Sequence, residues 1–176
     1  MIMNDKQIQN LIENANLIEN WEGSCVSGAS YDARLGSKMQ IAKHSHAIVD
    51  IRNPHNINLE DLQPQICLET GGAFFVIPAN SFVLAHTIEK FNMPCDIIGF
   101  VFNKSTFARV GNNQPTTSLE AGWAGILTLE IHNHLPQPIK LWVGQSVCKI
   151  HFLQIDTPNK QYNGKYQNQS GLTGAK

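Results

Sequence analysis

Residues 119–133 read Leu119-Glu120-Ala121-Gly122-Trp123-Ala124-Gly125-Ile126-Leu127-Thr128-Leu129-Glu130-Ile131-His132-Asn133. From Leu127 onward, apolar Leu127, Leu129 and Ile131 alternate with polar Thr128, Glu130 and His132. Successive side chains of an extended backbone point to opposite faces, so this period of two predicts a strand with one apolar and one polar face. Thr128 and Glu130 then point the same way. A carboxylate so placed is either solvated or lines a cleft as a general base, and periodicity alone leaves both open. Other β-rich runs flank the stretch: Ala73–Ile77, Ser81–Ala85, Ile97–Phe102, Ile139–Val143 and Val147–Leu153. They alternate with turns such as Gly71-Gly72, Pro78-Ala79-Asn80 and Pro136-Gln137-Pro138. Many short strands with this punctuation predict a mainly all-β sandwich, jelly roll or barrel rather than a parallel α/β sheet. The exception lies at the start. Ile8, Leu11, Ile12 and Ala15 recur at helical spacing behind Asn4 or Asp5, predicting one short helix over residues 4–16.

The 176 residues fit a single domain. A domain of that size buries on the order of 70% of its unfolded surface and needs no disulfide or structural metal to hold a core. Thirteen Lys and Arg against fourteen Asp and Glu give a net charge of −1, which excludes the basic footprint of a general nucleic-acid binder. No apolar run approaches the ~18 residues of a membrane-spanning helix. Only 15% of residues are charged, against a norm of about 25%, a hint that another subunit covers part of the surface. Cys25, Cys67, Cys95 and Cys148 lie far apart with no CxxC pair, unlike a zinc knuckle or a disulfide scaffold. Isolated buried thiols in a reducing cytoplasm are expected, and the opening Met1–Lys6 lacks the apolar core of a signal peptide. Asp156–Lys176 is polar and rich in Asn, Gln and Gly, so composition permits either a disordered tail or a flap that orders over a ligand.

Seven histidines make zinc the first chemistry to test. His44 and His46, like His132 and His134, are spaced i, i+2 and would share a strand face. A zinc hydrolytic site adds a third ligand and groups that orient it, so exposed or hydrogen-bonded histidines are expected instead. The zinc deaminase signature is missing as well: Pro94-Cys95 is followed by Asp96-Ile97-Ile98 with no second thiol. Neither a Walker loop nor a Gly-x-Ser-x-Gly elbow is present. In Asn103-Lys104-Ser105-Thr106-Phe107-Ala108-Arg109-Val110-Gly111, hydroxyls and backbone N–H groups are flanked by two cations. Such a set suits phosphate oxygens, and arginine adds a planar fork. The alternative is a helix start with two solvated cations.

The order of these segments resembles the dCTP deaminases of the trimeric dUTPase-like superfamily. The likeness is carried by Gly28-Ala29-Ser30-Tyr31-Asp32-Ala33-Arg34-Leu35-Gly36, by Phe82–Glu89 and Pro94–Gly99, and by the KSxxAR form of Lys104–Arg109. It continues in the E-x-x-W-x-G-x-x-T-L-E block of Glu120–Glu130 and in Gly164-Lys165-Tyr166-Gln167-Asn168-Gln169-Ser170-Gly171. The resemblance implies a distorted jelly roll or β-barrel over residues 1–155, with 156–176 as a flap over the nucleotide. It implies a homotrimer with active sites between subunits, and deamination of dCTP to dUTP and ammonia without zinc. Glu130 would be the catalytic base, with Ser105 and Arg109 holding the water and the reacting centre. Substrate-binding positions would be Lys104, Thr106, Phe107, Ala108, Glu120, Thr128, Leu129, Lys149, Tyr162, Lys165 and Gln169. Mg2+ would arrive on the triphosphate, and dTTP is a candidate feedback inhibitor. No nucleic-acid or membrane partner is implied, and the cytoplasm is the expected compartment. Three departures stand out. Asn112–Ser118 is polar and without an evident strand where the family has an apolar run, Asn103 replaces a common glycine, and Lys149 stands where many relatives have glutamine. Two alternatives stay open: a bifunctional member that yields dUMP, and a non-catalytic nucleotide-binding relative.

Overall fold

The helix at the start is specified locally. The Asn4 side chain accepts from the Gln7 backbone N–H at 3.0 Å, and Gln7 Oε1 accepts from the Asn4 N–H at 3.0 Å, a reciprocal cap for α1 (Asp5–Ala15). Ile8 and Ile12 bury its apolar stripe, and Asn16 ends it in a left-handed conformation. The computed structural model describes residues 1–176, apart from the side chain of His55. After α1 come β1 (Ile18–Glu19), β2 (Val26–Ser27), β3 (Ser30–Ala42), β4 (Leu59–Asp61), β5 (Gln65–Ile66), β6 (Ala73–Ile77) and β7 (Ser81–Asn92). Then follow β8 (Ile97–Asn103), the short α2 (Ser105–Arg109), β9 (Asn112–Asn113), β10 (Thr117–Leu119), β11 (Ala124–Asn133), β12 (Ile139–Trp142) and β13 (Ser146–Gln154).

The main sheet runs β10-β8-β13-β3-β7-β11-β9, with antiparallel pairing along this path, and β12-β6-β5 form a smaller sheet. Its two outer strands come from one stretch of chain, separated only by residues 114–116. The sheet therefore curls until its ends nearly meet, the distorted barrel that was expected. Inside it pack Tyr31, Leu35, Phe75, Phe91, Leu129, Ile150 and Phe152, all fully buried. Two sequence expectations are corrected. The polar Asn112–Ser118 does carry strands, because β9 and β10 are too short for a period to show and owe their pairing to Asn133, His132 and Gly99–Val101. Nor are all four thiols buried. Cys25 and Cys148 are, Cys67 is half-buried in a loop, and Cys95 is exposed in the turn before β8.

The strand that the sequence hid is β3. Asp32, Arg34, Gly36 and Lys38 interrupt its apolar pattern, yet the first three have a structural account, and the Lys38 side chain is exposed. Gly36 faces the His86 imidazole so closely that a Cβ there would stand 2.1 Å from Cε1. Arg34 lies against Glu89 of β7, whose side chain is wholly buried. The Glu89 carboxylate accepts from Arg34 Nε at 2.7 Å, from the Arg34 backbone N–H at 2.9 Å and from Tyr31 Oη at 3.1 Å. Burial and the Glu89 charge both push the Tyr31 phenol well above its ordinary range. Burial opposes the Arg34 charge, but Glu89 more than offsets it and strengthens the guanidinium's hold on its proton. Removing one charge from such a pair strands the other in a low dielectric. Glu89→Gln is therefore expected to cost about 3 kcal/mol of stability, measured as a lower urea midpoint at an unchanged m value.

Candidate active site

The polar face of β11 opens onto a cavity of about 440 Å3. Thr128 and Glu130 project into it, while Leu129, on the opposite face, is fully buried in the core. Phe82 and Leu84 of β7, together with Ile57 and Leu59, form an apolar wall. Thr117 to Glu120 close another side, where Ser118 Oγ donates to Glu120 Oε1 at 2.7 Å. Tyr162, Tyr166, Gln169 and Thr173 to Ala175 form the last wall. That size and mixture suit a small organic ligand.

The tail reaches the cavity because one edge of β11 is paired with β7 and the other needs partners at its start. The Ile126 N–H donates to Gln169 O at 2.9 Å, and Gln169 Nε2 donates back to Ile126 O at 2.5 Å. Asn168 N donates to Ala124 O at 2.8 Å, and Ala124 N to Gln167 Oε1 at 2.8 Å. Trp123 Nε1 donates to Tyr166 O at 2.9 Å. Gly125 permits this approach, since a Cβ there would stand 2.9 Å from the Trp123 ring and 3.0 Å from Gln169. Further along, the Thr173 N–H donates to Thr128 Oγ1 at 3.2 Å. Residues 156–176 thus have almost no regular secondary structure but are tied to the strand they cover.

Glu130 is half-buried, and among the described residues no cation or hydrogen-bonding side chain partners its carboxyl. Burial raises its pKa above the usual carboxylate range, only partly countered by its own backbone N–H. An acid in that state is a stronger base when ionised than one in water.

Lys104 to Arg109 do not line this cavity. They form α2 and its approach, on the rim where β8 ends. Phe107 is buried in the core, whereas Ser105, Thr106, Ala108 and Arg109 are exposed. Among the described residues, neither Ser105 Oγ nor the Arg109 guanidinium has a side-chain partner. Lys104 is not solvated: its Nζ donates to Asp32 Oδ2 at 2.6 Å. Lys149 Nζ lies 2.9 Å from Asp32 Oδ1, an ion pair without hydrogen-bond alignment, and donates to Ser30 Oγ at 3.0 Å. Burial opposes ionisation of Asp32, but the two ammonium groups outweigh it and hold its pKa low. Lys165 stands outside the cavity, 5.3 Å from the Tyr166 ring centroid. The anticipated residues therefore fall into two groups within one chain. Glu120, Thr128, Glu130, Tyr162 and Gln169 share the cavity; Lys104 to Arg109 and Lys149 lie apart from it. Sequence reasoning assigned no site role to Phe82, Trp123, Tyr166 or Asp32. All four sit inside stretches already singled out, which was the only signal available.

His44 and His46 stand edge to face at 5.4 Å between centroids, and His132 and His134 stack at 5.5 Å. Among the described residues, no group of three or more His, Cys, Asp or Glu side chains is placed to hold a metal ion. No helix among them is long and apolar enough to cross a membrane.

A family model described as dCTP deaminase-like matches residues 2–155. A dCTP deaminase of Campylobacter jejuni strain RM1221 is 35% identical over 178 residues, covering 98% of this chain and 91% of its own. One from Anaplasma marginale is 37% identical over 153 residues, covering 84% of this chain and 78% of its own. The crystal structure of a 2'-deoxycytidine 5'-triphosphate deaminase from Agrobacterium tumefaciens superposes with a TM-score of 0.64 at 22% identity, over 86% of this chain. The chain spans about half, 47%, of that solved protein, and the likeness shows the shared fold.

The raised pKa of Glu130 has a consequence for stability. A carboxyl whose native pKa exceeds its unfolded one supports the fold while protonated, and that support is lost as pH rises through the native pKa. Glu130→Gln is expected to melt above the parent protein at pH 8, with the gain vanishing toward pH ~4, near the ordinary glutamate pKa. Thermal melts across that range check this.

Proposed function

The chain belongs to the dCTP deaminase-like family, and on that premise we propose that it hydrolyses dCTP to dUTP and ammonia, with Glu130 as the base. The observation that carries this reading is the unpartnered, partly desolvated Glu130 carboxyl inside a cavity of nucleoside size. As water bonds to C4 of the cytosine, Glu130 accepts one of its protons and delivers it to ring N3. The remaining hydroxyl proton then passes through the carboxylate to the amino group, which leaves as ammonia. One positioned acid–base group is worth roughly 10²–10⁴ in rate. Zinc independence belongs to this proposal: the described residues offer no three-ligand set, so fixed dipoles and cations are assigned the stabilising work. Mg2+ enters with the triphosphate as part of the substrate.

The second group of residues completes the site from a neighbouring subunit. Exposed Ser105 and Arg109, beside exposed Val110 and Phe102, suit a homotrimer in which α2 of one protomer meets the cavity of the next. Ser105 and Arg109 then hold the water and the reacting centre, with Lys104, Lys149 and Lys165 near the phosphates. Residues 156–176 act as a flap on the 1–155 body, loosening to admit nucleotide and closing over it to exclude water. The cytoplasm, where nucleotide pools reside, is the proposed compartment, and dTTP the candidate inhibitor at the same site.

Incubation with dCTP, dUTP and Mg2+, with products resolved chromatographically, tests the reaction. dUTP from dCTP supports it, dUMP marks the bifunctional alternative, and unchanged nucleotides overturn it. Glu130→Gln is expected to lower kcat by at least ~10²-fold while nucleotide Kd stays within a few-fold. Mixing inactive Glu130→Gln with inactive Arg109→Ala subunits should restore partial activity, because exchange builds sites with both residues intact. No recovery after proven exchange would overturn the shared site.

A further inference from the structure

The register of β7 against β11 breaks close to the cavity. Ile126 pairs with Lys90, but two residues later Thr128 pairs with His86, so Thr87 to Glu89 bulge out of β7 opposite Leu127 alone. Continuing the first register would set Glu130 opposite His86. The observed one sets it opposite Leu84, two residues or ~7 Å further along β7. The bulge therefore decides where along the cavity wall the carboxyl emerges.

A bulge leaves a ladder N–H without its carbonyl, and here that N–H belongs to buried Leu127. Thr87, wholly buried, supplies the missing acceptor: the Leu127 N–H donates to Thr87 Oγ1 at 3.2 Å. The hydroxyl proton is already committed, donated to Glu89 O at 2.8 Å within the bulge. One hydroxyl thus closes the bulge on itself and anchors the strand that bears Glu130.

We propose that Thr87 is a positioning residue for Glu130, its hydroxyl fixing the register in which the carboxyl meets the substrate. The inference rests on the deaminase reading of the cavity. A displacement of about 1 Å at a reacting group can cost ~10²-fold in rate. Accordingly, Thr87→Val, which keeps the shape and removes the hydroxyl, is expected to lower kcat at least ~10-fold with KM for dCTP within two-fold, and to displace the pH profile of kcat. Thr87→Ser, which keeps the hydroxyl, should retain kcat within about three-fold of the parent protein. Unchanged kcat in Thr87→Val, or equal impairment in Thr87→Ser, overturns the proposal. Should Thr87→Val fail to fold, Thr87→Cys serves instead, its weaker acceptor giving a kcat between the serine variant and zero; a serine-like value overturns the proposal. A carbon-13 carboxyl titration of Glu130 separates this inference from the reading beneath it. An inactive parent protein sinks the deaminase reading, whereas an identical Glu130 titration in the parent and Thr87→Val proteins sinks the positioning role alone.

Discussion

A strand inside a folded protein has two edges, and every buried N–H and C=O along them needs a partner. In β11 this requirement organises the region around the cavity. On one side β7 satisfies the strand for most of its length. On the other, β9 reaches only His132 and Asn133, leaving the first half of the edge open. Gln167, Asn168 and Gln169 fill that gap with backbone and side-chain hydrogen bonds. The cavity's outer wall is thus an edge-strand solution: a polar segment without a core of its own is held where backbone groups need it.

Three carboxylates on neighbouring strands show how the fold separates structure from chemistry. Glu89 is wholly buried, and Arg34 and Tyr31 use its oxygens fully. Asp32 is shared between Lys104 and Lys149. Among the described residues Glu130 has neither kind of partner, and burial, outweighing its own backbone N–H, raises its pKa. The first two trade desolvation against attraction and fix strands in place. The third is tied to no strand, and an unpaired, partly desolvated acid of this kind is a candidate for function where a paired one points to architecture.

Much of this was legible in the residues. The alternation Leu127-Thr128-Leu129-Glu130 gave the strand, its inner face and the face carrying the acid, because side-chain direction follows from backbone geometry alone. Asn4 and Gln7 gave the helix start, because both capping partners lie within one turn. β3 was not legible, since Asp32 and Arg34 break its apolar period and their partners lie far away in sequence, at Lys104, Lys149 and Glu89. The strands of Asn112–Leu119 escaped for the opposite reason: they are too short to have a period. The tail's composition could not choose between disorder and docking, because the answer lies in the unpaired edge of another strand.

Local physics read from the chain determined the mainly β fold, the capped helix, the orientation of Glu130 and, through resemblance, the family. Only the tertiary structure decided that Lys104 to Arg109 lie outside the cavity that holds Glu130, that Lys104 is tied to Asp32, and that Thr87 closes the bulge fixing the acid's register. Those facts depend on which distant groups satisfy one another's hydrogen bonds and charges. Adjacency along the chain does not encode that; it emerges when the sheet curls and brings its edges together.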